Sequence, residues 1–274
     1  MIRAVLVLAL AAALHASAAA AQAPAYARTP GDTLRYREVT ERVMDTPGSP
    51  PRIRRQDATL AVAFATADTA RAWYDALRLE AEGGGEARVL EDGASRVFVL
   101  AFGARGVDTA LVVPAFPDPI RARADLRWQF WDFFPRLPAT PLAPGTAWAD
   151  TLARARTVEG GGNEMESTDT RIMRYRVVGD STIGDRAVIV VEAQGETNGV
   201  LAGRLFGVVV RGTSRETERG RVYFDAARGV LVRRTRTATG VLDLALPEGD
   251  RPGTVHRTDQ FTGTVELLEG EPGG

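Results

Sequence analysis

The sequence predicts a mainly β protein of α+β type: an antiparallel curved sheet or half-barrel in the C-terminal half, and a smaller α+β N-terminal half with two short helices. Three observations carry this. From residue 146 onward, apolar and polar residues alternate with period two in segment after segment, the mark of half-buried strands. The connections are short and polar, such as Gly179-Asp180-Ser181 and Ile183-Gly184-Asp185, which suits serial hairpins. Nowhere do strands alternate with full crossover helices, which argues against a parallel α/β sheet.

The chain opens with Arg3 and an apolar run from Ala4 to Leu14, followed by Ala-x-Ala sites at Ala19–Ala21 and Ala21–Ala23. This is the pattern of an export signal over residues 1–21. The run is too short for a bilayer span, which needs about 20 residues. An exported mature protein, periplasmic or extracellular and without a transmembrane segment, is the expectation. Asp32 to Asp45, with Leu34, Tyr36, Val39 and Val43 among charged residues, reads as a solvated strand, and Pro47 to Pro51 turns the chain. Ala58, Leu60, Val62 and Phe64 alternate as a strand should. Over Asp68 to Glu80, Ala70, Trp73, Ala76 and Leu77 recur at helical spacing, with Thr66 or Asp68 as N-cap, so the first helix is placed there. Arg88–Glu91 and Ser95–Phe102 flank Asp92-Gly93 and read as a hairpin. A strand at Thr109–Val113 follows. Ile120 to Phe134 fits both periods and is read as the second helix.

Pro135, Pro138, Pro141 and Pro144 recur every third residue, and Gly145 closes the run. This spacing favours an extended, semi-rigid connector. It divides the chain into an N-terminal half (22–134), a connector (135–145) and a C-terminal meander (146–270). Strands in the meander are expected at Thr146–Val158, Thr170–Val178, Arg186–Gln194, Gly203–Glu216, Gly220–Asp225, Val230–Thr239, Val241–Leu246 and Thr254–Leu268. Two glycine triplets, Gly83–Gly85 and Gly160–Gly162, mark either equivalent turns of two related halves or a chance recurrence.

Composition narrows the chemistry. The 274 residues carry 34 Lys plus Arg against 35 Asp plus Glu, so nucleic acid, which needs a basic surplus, is not expected as a partner. Cysteine and lysine are absent, and only His15 and His256 are present. Cysteine nucleophiles, Schiff-base lysines and zinc sites built on His or Cys therefore fall away. No metal or cofactor is expected. His256 shares strand parity with Thr258, Gln260, Thr262 and Thr264, so it belongs to a polar face. No Gly-x-Ser-x-Gly elbow accompanies it. Paired carboxylates could still run glycoside hydrolysis. The acidic stretch Glu159–Asp169 lacks the order of a calcium loop and reads as a solvated hairpin loop.

The segment Phe134-Pro135-Arg136-Leu137-Pro138, continuing through Pro141, Pro144, Gly145 and Trp148-Ala149-Asp150, resembles an element of exported bacterial β-rich proteins of unknown function. Gly220-Arg221-Val222-Tyr223-Phe224-Asp225 with Gly229-Val230-Leu231-Val232 is similar to a hairpin those proteins share with LolA-type periplasmic lipoprotein carriers. The resemblance covers roughly the C-terminal half. It implies a curved antiparallel sheet with a helix over its concave side, and brings no catalytic residues.

Two groups of residues are candidates for binding. Trp128, Phe130, Trp131, Phe133 and Phe134 lie within seven positions. They suit either a buried hinge core or, with Trp128, Phe130, Trp131 and Phe134 as lining, a site for an apolar ligand. Arg204, Arg211, Arg215, Arg219, Arg221, Arg233, Arg234 and Arg236 load the later strands with positive charge. They read as a solvated, charge-laced face or, through Arg211, Arg221 and Arg233, as contacts to an anionic group. The expected function is an exported, non-enzymatic protein that binds a lipid-like or other apolar small molecule in its curved sheet. A structural or interaction role with an envelope protein, and a carboxylate-dependent hydrolase, are the alternatives. Oligomeric state is not legible.

Overall fold

The computed structural model describes residues 23–27, 29–81, 85–90, 96–117, 120, 126–160, 163–205, 207–246 and 253–268. The expected export signal over 1–21 and the Asp92-Gly93 turn lie outside them. Twelve strands form one antiparallel sheet. They are β1 (Thr33–Asp45), β2 (Arg52–Thr66), β3 (Thr69–Ala81), β4 (Gly85–Leu90), β5 (Phe98–Gly103), β6 (Gly106–Val112), β7 (Ala147–Gly160), β8 (Asn163–Ile183), β9 (Arg186–Leu205), β10 (Val208–Asp225), β11 (Val230–Leu246) and β12 (Gly253–Leu268). Their order is β6-β5-β3-β2-β1-β12-β11-β10-β9-β8-β7, with β4 on β3. The first strand pairs with the last, from Arg35↔Leu268 to Asp45↔Thr258, so strands from both sides of the Pro-rich run share one sheet.

This order has a direct consequence. β6 and β7 are neighbours in the chain but occupy opposite edges of the sheet, so residues 113–146 must cross it. The crossing strap buries Phe116, Ile120, Leu126, Phe130, Phe133, Phe134, Leu137 and Leu142 against one face, the covered face. The sheet curls around it. The Tyr26 ring lies 5.7 Å from Phe102 on β5 and 5.4 Å from Phe224 on β10. In a flat sheet those strands, six spacings apart, would be about 29 Å from each other. One ring touches both only because the sheet is bent into a half-barrel.

The expected helix over Asp68–Glu80 is instead strand β3. Ala70, Ala72 and Tyr74 point to the core, and then so do Leu77 and Leu79. The parity changes because Asp75 is an extra residue: Tyr74 pairs with Leu60 and Ala76 with Thr59. A β-bulge inserts such a residue, and the resulting 70-74-77 spacing mimics a helix. Of the expected helix over Ile120–Phe134, Ile120 is helical and residues 121–125 lie outside the described residues, while Leu126–Trp128 form a 3-10 turn followed by irregular chain to Phe134. Its aromatic side chains are anchored by ring packing. Phe134 sits 5.1 Å from Phe102 and 5.7 Å from Tyr36, and Phe130 sits 5.1 Å from Phe98.

Among the described residues the two strands of the expected Asp92-Gly93 hairpin pair with β3 rather than with each other. β4 takes the Leu77–Ala81 end of β3, and β5 takes the Thr69–Ala72 end. The Pro-rich run continues the strap: Leu137 N–H donates to Arg105 O (3.0 Å), and Tyr26 Oη donates to Pro135 O (2.8 Å). Glycines expected to end strands do not. β10 runs through Gly220 and β11 through Gly240. Gly220 serves close approach, since a Cβ there would lie 2.1 Å from Thr235 O. The stretch Glu159–Asp169 is mostly ladder, because β7 and β8 stay paired to Gly160↔Asn163.

Phe134→Ala removes the ring shared by Tyr26, Tyr36, Phe102 and Phe133. A loss of about 3–5 kcal/mol is expected. Urea unfolding followed by tryptophan fluorescence checks it.

Candidate functional site

Strand parity divides the covered face into two regions. One is apolar, around the strap rings. The other is ionic, because the same inward parity that places Met173 and Tyr175 on β8 also places Arg171 and Asp169 there. On β10 the inward series is Glu218, Val222 and Phe224. On β11 the ladder shifts between Tyr223 and Phe224, leaving Val232 as the extra residue, so that Leu231 and Arg234 both face inward.

Three arginines converge on two carboxylates at the centre of this region. Arg236 donates to Glu218 in a fork, Nε to Oε1 at 3.0 Å and Nη2 to Oε2 at 2.9 Å. Arg171 Nη2 donates to the same Glu218 Oε2. Asp132, from the strap, receives Arg171 Nη1, Arg234 Nη2 (3.3 Å) and Arg236 Nη1 (3.2 Å) on its single oxygen Oδ2. Arg234 also donates to the backbone carbonyls of Asp132 and Phe133. The strap is thereby held by charge as well as by rings. Trp131 adds to this, its ring under the Arg154 guanidinium at 4.5 Å, while Arg154 itself reaches Asp169 at 2.6 Å.

Burial pushes the Glu218 carboxyl up, but Arg236, Arg171 and Arg234 outweigh it and hold the group at about 2. Burial lowers Arg171 to about 10, still cationic at neutral pH. Glu38 differs. Burial raises its carboxyl, against donors Gln129 and Gln56, each Nε2 at 2.7 Å from Oε2. Tyr74 Oη donates to Gln129 Oε1 at 3.0 Å and completes the chain. A cavity of about 20 Å³ beside Glu38, Gln129, Asp132, Arg234 and Arg236 has the size of one water. This arrangement holds Glu218 in its ionised form and fixes the strap in place.

The opposite, open face presents the exposed residues of β7, β8 and β10 to solvent. A recess of about 530 Å³ lies across β11, β12, β1, β2 and β3. Val39, Thr235, Thr237, Thr262 and Thr264 line it, with a wall of Glu41, Arg55, Asp57, Arg78 and Glu80. Ion pairs order that wall: Arg55–Glu41 at 2.7 Å, and Arg37–Asp57 at 2.9 Å next to it. Direct cross-strand pairs, Thr235↔Thr264 and Thr237↔Thr262, make the floor. Such pairs stabilise a sheet face as well as presenting hydroxyls.

The structure separates the two groups of residues expected to bind. Phe130 and Phe134 are buried in ring contacts on the covered face, Trp131 lies under Arg154, and Trp128 contributes its backbone to the 3-10 turn. Arg211, Arg221 and Arg233 lie on the open face. There Arg221 is 3.7 Å from Glu192, and Arg233 pairs with Glu266. Phe130, Trp131, Phe134, Arg211, Arg221 and Arg233 line neither space. His256 is on the open face, its Nδ1 2.6 Å from Asp243 Oδ1. The charge-laced face expected of the arginines is present for Arg215, Arg219 and Arg221, but Arg234 and Arg236 are inward. Asp132 and Arg171 were missed altogether. The inward parity of Arg171 with Met173, Tyr175 and Val177 was the available signal.

No family model matches the chain, and no curated protein matches it. Solved structures overlap it weakly. OccK2 (OpdF) of Pseudomonas aeruginosa, in complex with glucuronate, is 7% identical over 88% of this chain and 99% of that one, with a TM-score of 0.24. A loop-deletion mutant of OmpT, an outer membrane protein of Vibrio cholerae, is 8% identical over 88% and 100%, with a TM-score of 0.27. A LolA superfamily protein of Nitrosomonas europaea is 8% identical over 89% and 90%, with a TM-score of 0.17. Overlaps this loose set no family for the chain.

Glu218→Gln leaves the buried Arg171 and Arg234 and the half-buried Arg236 short of charge and is expected to cost about 3–5 kcal/mol at neutral pH. The stability Glu218 supplies is complete above its unfolded value of 4.5 and is lost as pH falls through about 2. Glu38 has the opposite sign. Its carboxyl is raised, so its penalty is present at neutral pH and is relieved as pH falls below the raised value. Glu38→Gln is therefore expected to leave stability at neutral pH unchanged or higher. Urea midpoints of both variants across the acid range check the two signs.

Proposed function

We propose that the protein is an exported, non-catalytic component of the cell envelope that binds a protein partner through the open face of its sheet. The observation that carries this reading is the 530 Å³ recess at the centre of that face. Its threonine floor and paired-charge wall offer hydrogen-bonding groups and fixed charges to a polar surface. Export is supported by Arg3, the Ala4–Leu14 run and the Ala-x-Ala sites that follow. No helix among the described residues is long and apolar enough to cross a membrane.

A lipid-like ligand in the hollow of the sheet is the rival reading, and the strap weighs against it. Such a ligand would have to displace Phe130, Phe133, Phe134, Leu137 and Leu142, all buried. At about 1.5–3 kcal/mol for each side chain, the cost is roughly 10 kcal/mol before the ligand gains anything. The open face requires no such rearrangement. The buried Glu218 and half-buried Asp132 carboxylates are occupied by guanidinium groups, which suits a holding role better than acid–base turnover.

The absence of native cysteine makes the test direct. Thr237→Cys and Thr262→Cys, each carrying a photo-crosslinker, are expected to trap one protein partner in intact cells, while Thr140→Cys on the strap traps none. Equal trapping from all three positions, or none from Thr237 and Thr262, would overturn the reading. A lipid that co-purifies with the chain in native mass spectrometry would return the function to the covered face.

A further inference from the structure

The two edges of the sheet are unlike each other. β6 is seven residues long, its ladder to β5 is interrupted twice, between Val99 and Leu100 and between Ala101 and Phe102, and the strap follows directly. Bulges and short length are the usual protections of an exposed edge. β7 has neither. Its 14 residues pair with β8 from Ala147↔Arg176 to Gly160↔Asn163 without a register shift. Nothing among the described residues pairs with its other side. An unbulged edge roughly 45 Å long is a template for another strand.

We propose that this edge docks a second copy of the chain, β7 against β7 in antiparallel register, through a two-fold axis near Ala153. The charges of β7 are what select a second copy over an unrelated strand. Inward-facing Asp150 precedes inward-facing Arg154 and Arg156. An antiparallel partner centred on Ala153 sets Asp150 of each copy opposite Arg156 of the other and diagonal to Arg154. Arg154 and Arg156 both lie on Asp169 of their own chain, at 2.6 and 2.8 Å. The Asp150 of the second copy adds a carboxylate to that pair. A parallel partner in register would instead set Asp150 against Asp150 and Arg156 against Arg156, and like charges directly opposite are destabilising. On the open face, Ala149, Thr151, Ala153, Ala155 and Thr157 are exposed and neutral, so no side chain there obstructs the approach. An isologous contact of this kind closes on itself as a dimer and leaves both β6 edges and both open-face recesses outside it.

Sedimentation equilibrium of the mature chain reads the proposal. A dimer is expected. Ala153→Lys, an exposed position that sets two ammonium groups opposite each other, is expected to give a monomer with an unchanged far-UV circular dichroism spectrum. Asp150→Arg is expected to weaken the dimer at least tenfold, and adding Arg156→Asp to it is expected to restore it, since the pairs are then reversed in sense. If the double variant fails to fold, amide exchange decides instead, with β7 amides protected in the wild type and released in Ala153→Lys. A wild type that stays monomeric would overturn the proposal, as would a dimer that survives Ala153→Lys and Asp150→Arg.

Discussion

The crossing of the sheet by residues 113–146 is the constraint on which the rest of this structure depends. Two strands adjacent in the chain sit at opposite edges, so the connection between them has to pass over one face. Once it does, that face has a core, and the sheet bends around it until Tyr26 can touch strands on both sides. The bending follows from area. A flat sheet would bury one side of the strap's rings, whereas a curled one surrounds them, and burial of aromatic area is the largest favourable contribution available to it.

Charge completes what the rings begin. The strap carries Asp132 into a group of arginines that would otherwise hold Glu218 alone, and Arg234 grips the strap's own backbone. Burying Arg171 and Arg234 is tolerable only with their carboxylates present, since an uncompensated buried charge is severely destabilising. The arrangement therefore ties strand parity on β8, β10 and β11 to the position of a non-helical segment. Glu38 stands at the margin of this group, satisfied by two glutamine amides yet raised by burial. Opposite signs of pH dependence within one face follow from that balance: direct guanidinium contacts outweigh burial at Glu218, whereas at Glu38 burial outweighs two amide bonds and the charges of Arg236 and Arg234.

The two faces thus have different work. Packing and ion pairs fill the covered face around a space of about one water beside Glu38 and Asp132. Hydroxyls and surface ion pairs occupy the open face, and exposed pairs of that kind contribute little to stability. A face with little stabilising role is free to serve recognition, which is why the recess there, rather than the aromatic cluster, supports the functional reading.

Much of this was legible in the residues. Period-two alternation placed β1, β2 and the meander, and short polar turns made them antiparallel. His256 was correctly assigned to a polar face, because parity is a local property of a strand. What failed was parity across bulges. Asp75 shifts β3 by one, so Ala70, Tyr74 and Leu77 imitate a helix, and Val232 does the same on β11 and turns Arg234 inward. Whether a strand admits an extra residue is decided by its neighbour's ladder, which no single segment contains. The aromatic run Trp128–Phe134 announced a core but not its form, since rings such as Phe130, Phe133 and Phe134 are positioned by rings of β1 and β5 that lie far away in the sequence. The sequence by itself determined which residues alternate and which cannot be exposed. Only the tertiary structure decided which face each charge meets, because that depends on bulge positions and on a strap whose path is set by the strand order of the whole sheet.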